Sequence, residues 1–135
     1  MASLAVMTAV EARLAANFTR CAIITPNTTA EPPGDSSAYL TVTYPVSNET
    51  QASMGAPGSN AYREEGAFRF VLSVPIRTGL AQWSAWIDEL RVLFRGVVFD
   101  GVVTWESPPP ATRDSDDGTR YELSFAVPYR FYIFA

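Results

Sequence analysis

The side chains able to carry acid–base or metal chemistry in this sequence are nearly all carboxylates. Fourteen Asp and Glu stand against ten basic residues and no histidine, and every one of the ten is Arg. Without histidine the chain lacks the usual proton acceptor near neutral pH and the commonest metal ligand. Without lysine it has no P-loop lysine, no Schiff-base amine and no amine general base. That leaves acidic clusters. Glu64 and Glu65 are adjacent, but successive residues of a strand point to opposite faces, so they do not form a dyad. The stretch "DSDDG", Asp114 to Gly118, lacks the alternating ligands and closing glutamate of a calcium loop and reads as a solvated turn. Asp88 and Glu89 fall on the polar side of a helical pattern. Gly55, Gly58 and Gly66 do not make a G-x-G-x-x-G phosphate cradle. Cys21, the single cysteine, allows neither an intrachain disulfide nor a thiolate cluster, and in "RCAII" it reads as a small buried hydrophobe. The expectation is a protein that is not an enzyme and takes no metal or cofactor.

The elements that position these residues follow from periodicity. At 135 residues, 47% hydrophobic and 18% charged, the chain suits one globular domain. Val6, Val10, Leu14 and Phe18 lie four apart and predict a helix from about Ser3 to Phe18, with Ser3 as N-cap. This pattern makes "MASLAVMTAV" the start of an amphipathic helix rather than a signal peptide. No apolar run approaches the roughly 20 residues that span a membrane, so a soluble protein made in the cytoplasm is expected. "CAII" predicts a short strand, and "AYLTVTYPV" a longer one rich in β-branched and aromatic residues. In "GAFRFVLSVPI" Phe68, Phe70, Leu72, Val74 and Ile76 share one face, and Pro75 should end central pairing near Val74. "TGLAQWSAWIDELRVLFRG" predicts a second helix with Thr78 as N-cap, Gly96 at C′ and a stripe of Leu80, Trp83, Ile87, Leu90 and Phe94. Trp83 and Ile87 should face the sheet, with Phe68, Phe70, Phe125 and Val127 among their partners. "VVFDGVVTW" is a tight hairpin at Asp100-Gly101, or a lead-in bending into one strand from Val102 to Glu106. "TPNTTAEPPGDSS" and "ESPPPATRDSDDGT" read as loops. "RYELSFAVPYRFYIFA" closes the chain as a strand, in which Pro128 implies an edge position, a bulge or a strand end. The strands lie too close in sequence for helical crossovers. The fold class expected is α+β: a single, mostly antiparallel or mixed sheet with two helices packed on one face, over residues 1–135 as one domain.

Two features favour an assembling protein over a free monomer, the other readings being a plain hairpin loop for the first and packing in the domain's own core for the second. The polar stretch from Ser47 to Gly66 is too long for a usual hairpin loop of about 2–5 residues. It reads as an assembly arm with a mobile first half, Asn48 to Asn60, and a second half presenting Arg63, Glu64 and Glu65. The chain also ends on Tyr129, Phe131, Tyr132 and Phe134, four rings that need cover from the core or a neighbouring chain. Arg as the sole cation reads either as the coding bias of a GC-rich genome or as a fit to such interfaces through bidentate pairing and stacking. Interface residues expected on these grounds are Gln51, Met54, Tyr62, Arg63, Glu64, Glu65, Phe131, Tyr132 and Phe134.

In the order of its elements the chain resembles the phage tail terminator-like proteins. The resemblance rests on the "VEARLAANF" helix, "AYLTVTYPVSNETQASMG", "YREEGAFRFVLSVPIRTG", "AQWSAWIDELRVLF" and "DDGTRYELSFAVPYRF"; the longer, more aromatic "FYIFA" departs from it. The resemblance implies a structural virion protein of the tail. It would be a self-assembled ring, typically hexameric, that caps the head-proximal end of the tail tube, stops its polymerisation and meets the neck or head-completion proteins. DNA would pass through the lumen unbound. Six copies at −4 each sum to −24, a charge that repels phosphate over about 8 Å at physiological salt. The net charge likewise disfavours nucleic-acid or anionic-membrane binding. The alternatives are another neck component, such as a stopper or connector, and a monomeric ligand-binding α+β domain.

Overall fold

The computed structural model describes residues 1–26, 37–114 and 118–135. The order is α1 (Leu4–Asn17), β1 (Ala22–Ile24), β2 (Tyr39–Gln51), β3 (Ala61–Pro75), α2 (Ala81–Phe94), β4 (Val98–Phe99), β5 (Val102–Thr104), β6 (Ala111–Asp114) and β7 (Arg120–Phe134). The strands form one mixed sheet, β1-β2-β3-β7-β5-β4, with β6 also paired to β7. Among the described residues only β1 and β2 run parallel, and every other pair is antiparallel. The α+β class expected from the sequence is the class observed.

Alternation decides which face is buried. Leu40 and Val42 on β2, Phe68, Phe70, Leu72 and Val74 on β3, and Leu123, Phe125 and Val127 on β7 are all buried in one cluster. The same cluster takes Val6, Val10 and Leu14 from α1 and Trp83, Ile87, Leu90 and Phe94 from α2, so both helices cover the same face. Phe94 is the pivot: its ring lies 5.3 Å from Phe68 and 5.0 Å from Phe70. Such pairs contribute about 0.5–1.5 kcal/mol each beyond area burial. The helices are cross-tied where Arg13 Nε donates to the Leu93 carbonyl at 3.0 Å and Arg20 pairs with Glu89 at 3.1 Å. Trp83 belongs to the core but sits at its margin, edge-on to Trp86 at 4.9 Å.

Several local expectations are corrected. Thr78 is not the N-cap of α2; Leu80 holds that position with no side-chain cap bond. Thr78 Oγ1 instead donates to the Pro75 carbonyl at 2.8 Å and accepts from Trp83 Nε1 at 2.9 Å, which closes the turn between β3 and the helix. Ser3 is the N-cap residue of α1, but its hydroxyl makes no cap bond. Gly96, with φ +57° one residue past the C-cap Arg95, takes the left-handed conformation that ends α2. The Asp100-Gly101 pair makes the hairpin and not the bent strand: Val98 faces Val103, Phe99 faces Val102, and both turn residues have positive φ. Part of the second loop is strand. β6 lies along β7 from Ala111↔Ser124 to Asp114↔Tyr121, with Arg113 and Glu122 paired at 2.9 Å. Of "DSDDG", residues 115–117 lie outside the described residues, as does most of "TPNTTAEPPGDSS".

The polar stretch Ser47–Gly66 is the largest correction. It is not a loop of that length. β2 and β3 continue through it in register, Ser47↔Gly66, Asn48↔Glu65, Glu49↔Glu64, Thr50↔Arg63 and Gln51↔Tyr62, so the connection between strands is residues 52–60 alone. Backbone pairing holds these residues where no apolar alternation announces a strand.

Candidate functional site

β2, β3 and β7 project together as a three-stranded arm. Its rungs run from Val46–Ala67–Pro128 to Gln51–Tyr62–Ile133, and β7 stays paired to its end at Phe134↔Ala61. Beyond it Asn60 and Ala135 exchange both backbone bonds, at 3.0 and 2.9 Å. The C-terminal segment is therefore held by a ladder rather than by ring packing alone. A shift of register between Thr43 and Val46 marks where the arm leaves the body. Gly66 permits the close approach there: a Cβ on it would run into the Val46 carbonyl and lie 2.8 Å from Ser47 Cα.

At the root, Glu64 points to the helix face and is only 5% exposed. Its Oε2 accepts from the Tyr129 hydroxyl at 2.6 Å and from the Ser3 amide at 3.2 Å. A carboxylate thus takes the place of the missing side-chain cap at the start of α1, where the helix dipole favours negative charge. It ties helix and arm into one unit, and Ser47 Oγ adds a bond to the Met1 carbonyl. Burial, then the hydrogen bond to Glu64 and its charge, raise the Tyr129 hydroxyl well above the usual tyrosine range. Tyr44 is raised in the same way by burial and by the charge of Glu11, to which its hydroxyl donates at 3.3 Å. Burial pushes the Cys21 thiol up to about 11, against a smaller opposing effect of a backbone hydrogen bond at Leu40.

The outer face of the arm carries Val46, Asn48 and Thr50 from β2, Arg63 and Glu65 from β3, and Arg130, Tyr132 and Phe134 from β7. Val46, Tyr132 and Phe134 are exposed, Phe134 at 72%. Arg130 lies between two rings, 5.1 Å from the centroid of Trp105 and 5.5 Å from that of Tyr132, and its buried Nε has no hydrogen-bond partner among the described residues. Arg63 and Glu65 pair with each other at 2.5 Å. At the tip, residues 52–60 are shaped by Ser53 Oγ accepting from the Ala61 amide at 2.7 Å and Asn60 Oδ1 accepting from the Ala56 amide at 3.0 Å. They expose Met54 at 86%.

Of the nine expected interface residues, all lie on or at the tip of this arm, but not on one surface. Arg63, Glu65, Tyr132 and Phe134 share the outer face, Gln51, Tyr62 and Phe131 the opposite face, and Met54 the tip. Glu64 is withdrawn from any charged contact surface, because Tyr129 and the start of α1 enclose it. Phe131 packs against the core beside the Asp100-Gly101 turn. Val46 and Arg130 also stand on the outer face, with Trp105 beside Arg130, and none of the three is among the expected residues. The alternation in "PYRFYIF" already sets Arg130 and Tyr132 on one face; Trp105 joins them only through the pairing of β5 with β7.

Among the described residues no group of three or more His, Cys, Asp or Glu is placed to hold a metal ion, and no helix is long and apolar enough to cross a membrane. What the arm provides is a stiff projection with exposed rings.

A family model described as phage tail terminator protein matches residues 5–129. No curated protein matches the sequence. A solved structure matches with a TM-score of 0.66 and 20% identity, covering 96% of this chain and 95% of its own; at that identity the likeness speaks for the fold. The family match spans nearly the whole chain, and the protein belongs to the phage tail terminator family.

Proposed function

Taking that membership as the premise, we propose that this chain assembles into a ring, of six copies as the family resemblance implies, that caps the head-proximal end of the tail tube. The ring stops addition of further tube subunits and offers its other surface to the neck. A structural role in the phage tail follows from the family itself. The observation that carries the finer reading is the arm: a three-stranded projection ending in Phe134, 72% exposed, and Met54, 86% exposed. Rings and thioether held out on a rigid ladder cost solubility in a monomer and gain from burial against another protein. The work required is steric and adhesive, done by shape and apolar contact, and calls on no catalytic group. At −4 per copy, the charge around a ring favours passage of DNA over its retention.

The test is mass in solution followed by binding. One copy is 14.8 kDa, so six sum to about 89 kDa, six times that value. Light scattering should give a ring-sized species alone or on addition of tail tube protein, and negative-stain images should show it at one end of each tube. A 14.8 kDa species under both conditions, with tubes that keep growing, would overturn the reading.

A further inference from the structure

Among the described residues the arm has two unpaired edges, and the backbone fixes which groups each presents. Asn60 and Ala135 exchange both N–H···O bonds. In an antiparallel ladder such pairs alternate with non-bonded ones. Tyr62↔Ile133, Glu64↔Phe131 and Gly66↔Tyr129 are therefore the bonded pairs, and the backbone groups of Tyr132 and Phe134 point away from β3. Pro128 obeys the same parity. Its missing N–H falls on the outer side of β7, between the stretches covered by β6 (121–124) and by β5 (129–130). On the other side, Ala52 N donates to the Ala61 carbonyl at 2.7 Å. Thr50 and Asn48 thus bond to β3, while the N–H and C=O of Ser47, Glu49 and Gln51 point outward. Among the described residues no strand pairs with β2 beyond Thr41 or with β7 beyond Arg130 on these sides.

Natural edges of this kind are usually blunted by Lys, Pro or inward charge. Here the β2 edge from Val46 to Gln51 has Glu49 as its only charge, and β7 from Phe131 to Phe134 has none. β2 and β7 are both antiparallel to β3, so they run the same way. A copy related by simple rotation can lay its β2 beside the β7 of its neighbour as a parallel pair, a head-to-tail contact that repeats until the ring closes. A two-fold pairing of β2 with β2 would bring Glu49 near Glu49 and leave Tyr132 and Phe134 bare. The head-to-tail pairing sets Tyr132 and Phe134 beside the next copy's Val46, Asn48 and Thr50 on the common outer face.

We infer that the subunits of the ring join by β-augmentation, the outward groups of Ser47, Glu49 and Gln51 of one copy bonding those of Tyr132 and Phe134 of the next. The inference rests on the ring reading and names the contact that closes it. Proline distinguishes backbone from side chain. Glu49→Pro removes an outward N–H and leaves the β3 ladder intact, whereas Glu49→Ala keeps that N–H. Both should keep the circular dichroism spectrum of the folded protein. By light scattering E49A should form the ring like the parent, and E49P should lose it by tenfold or more at equal concentration.

Cysteine pairs give an independent readout in a Cys21→Ala background. Within one chain β2 and β7 are two strand spacings apart, about 10 Å, too far for a disulfide. Any bond between them therefore joins two copies. Asn48→Cys or Thr50→Cys combined with Phe134→Cys should crosslink into ladders of subunits, and Glu49→Cys or Gln51→Cys with Phe134→Cys should not, because their side chains lie on opposite faces. A parent ring whose E49P variant still assembles, with no such period-two crosslinking, overturns the inference and leaves the ring reading standing. A parent that stays monomeric with and without tube protein overturns both.

Discussion

Replacing Tyr129 by Phe deletes one oxygen at the point where the arm meets the first helix. The ring is fully buried in the core and stacks 6.0 Å from Phe68, so the Phe side chain fills the same space and no cavity term arises. What is lost is the 2.6 Å bond from the hydroxyl to Glu64. A hydrogen bond to a charged group is worth about 1.5–3 kcal/mol net, and among the described residues the carboxylate left behind retains only the Ser3 amide as donor. The predicted loss is about 2 kcal/mol. At about 2.1 cal/mol/K per residue of unfolding entropy, a chain of 135 residues shifts its Tm by about 3.5 °C per kcal/mol, hence about 7 °C here. The assay is a double-mutant cycle of Tyr129→Phe, Glu64→Gln and the pair, by urea unfolding. The two changes should be strongly non-additive, with a coupling of about 1 kcal/mol or more. Additivity within about 0.3 kcal/mol would show that the hydroxyl and carboxylate do not act together and that the tie between helix and arm is misread.

The raised Tyr44 and Tyr129 hydroxyls make stability fall in alkali. In the unfolded chain they lose protons near pH 10 while the folded forms keep theirs, so unfolding is favoured as pH rises, by about 1.4 kcal/mol per pH unit for each group. Urea midpoints should drop above about pH 10, and Tyr129→Phe should remove part of the slope. Gly66→Ala should cost about 1–3 kcal/mol, because its Cβ meets backbone of β2 that cannot rotate aside; a thermal melt within 1–2 °C of the parent would contradict that packing. Trp83→Ala should cost about 3 kcal/mol, at the low end for a large ring, since it sits at the core's margin and also holds Thr78; a loss under about 1 kcal/mol in the same unfolding assay would place the ring outside the core.

Much of the body was legible in the sequence because burial imposes period. Phe68 to Val74 and Leu123 to Val127 had to alternate to put one face against the helices, and Leu90 and Phe94 had to fall on one stripe of α2. The Asp100-Gly101 hairpin was legible through turn chemistry. The arm was not. Asn48, Glu49 and Thr50 bury little, so nothing selects apolar residues there, and the strand is held by backbone bonds to Arg63 and Glu65 that carry no side-chain signature. β6 escaped for the same reason, since all four of its residues are exposed. Parity correctly separated Glu64 from Glu65. That Glu64 is the enclosed one depends on where the N-terminus of α1 lands, a contact 61 residues away in the chain.

The proposal that this protein ends the tail tube is tested most directly by tail length. Electron microscopy of particles from phage lacking the protein should show tubes of irregular, often excessive length, unattached to heads. Restoring the parent chain should return one length, and restoring the E49P variant should not. Tails of normal, uniform length in its absence, with heads that have leaked their DNA, would contradict the claim and assign the protein to the neck as a stopper.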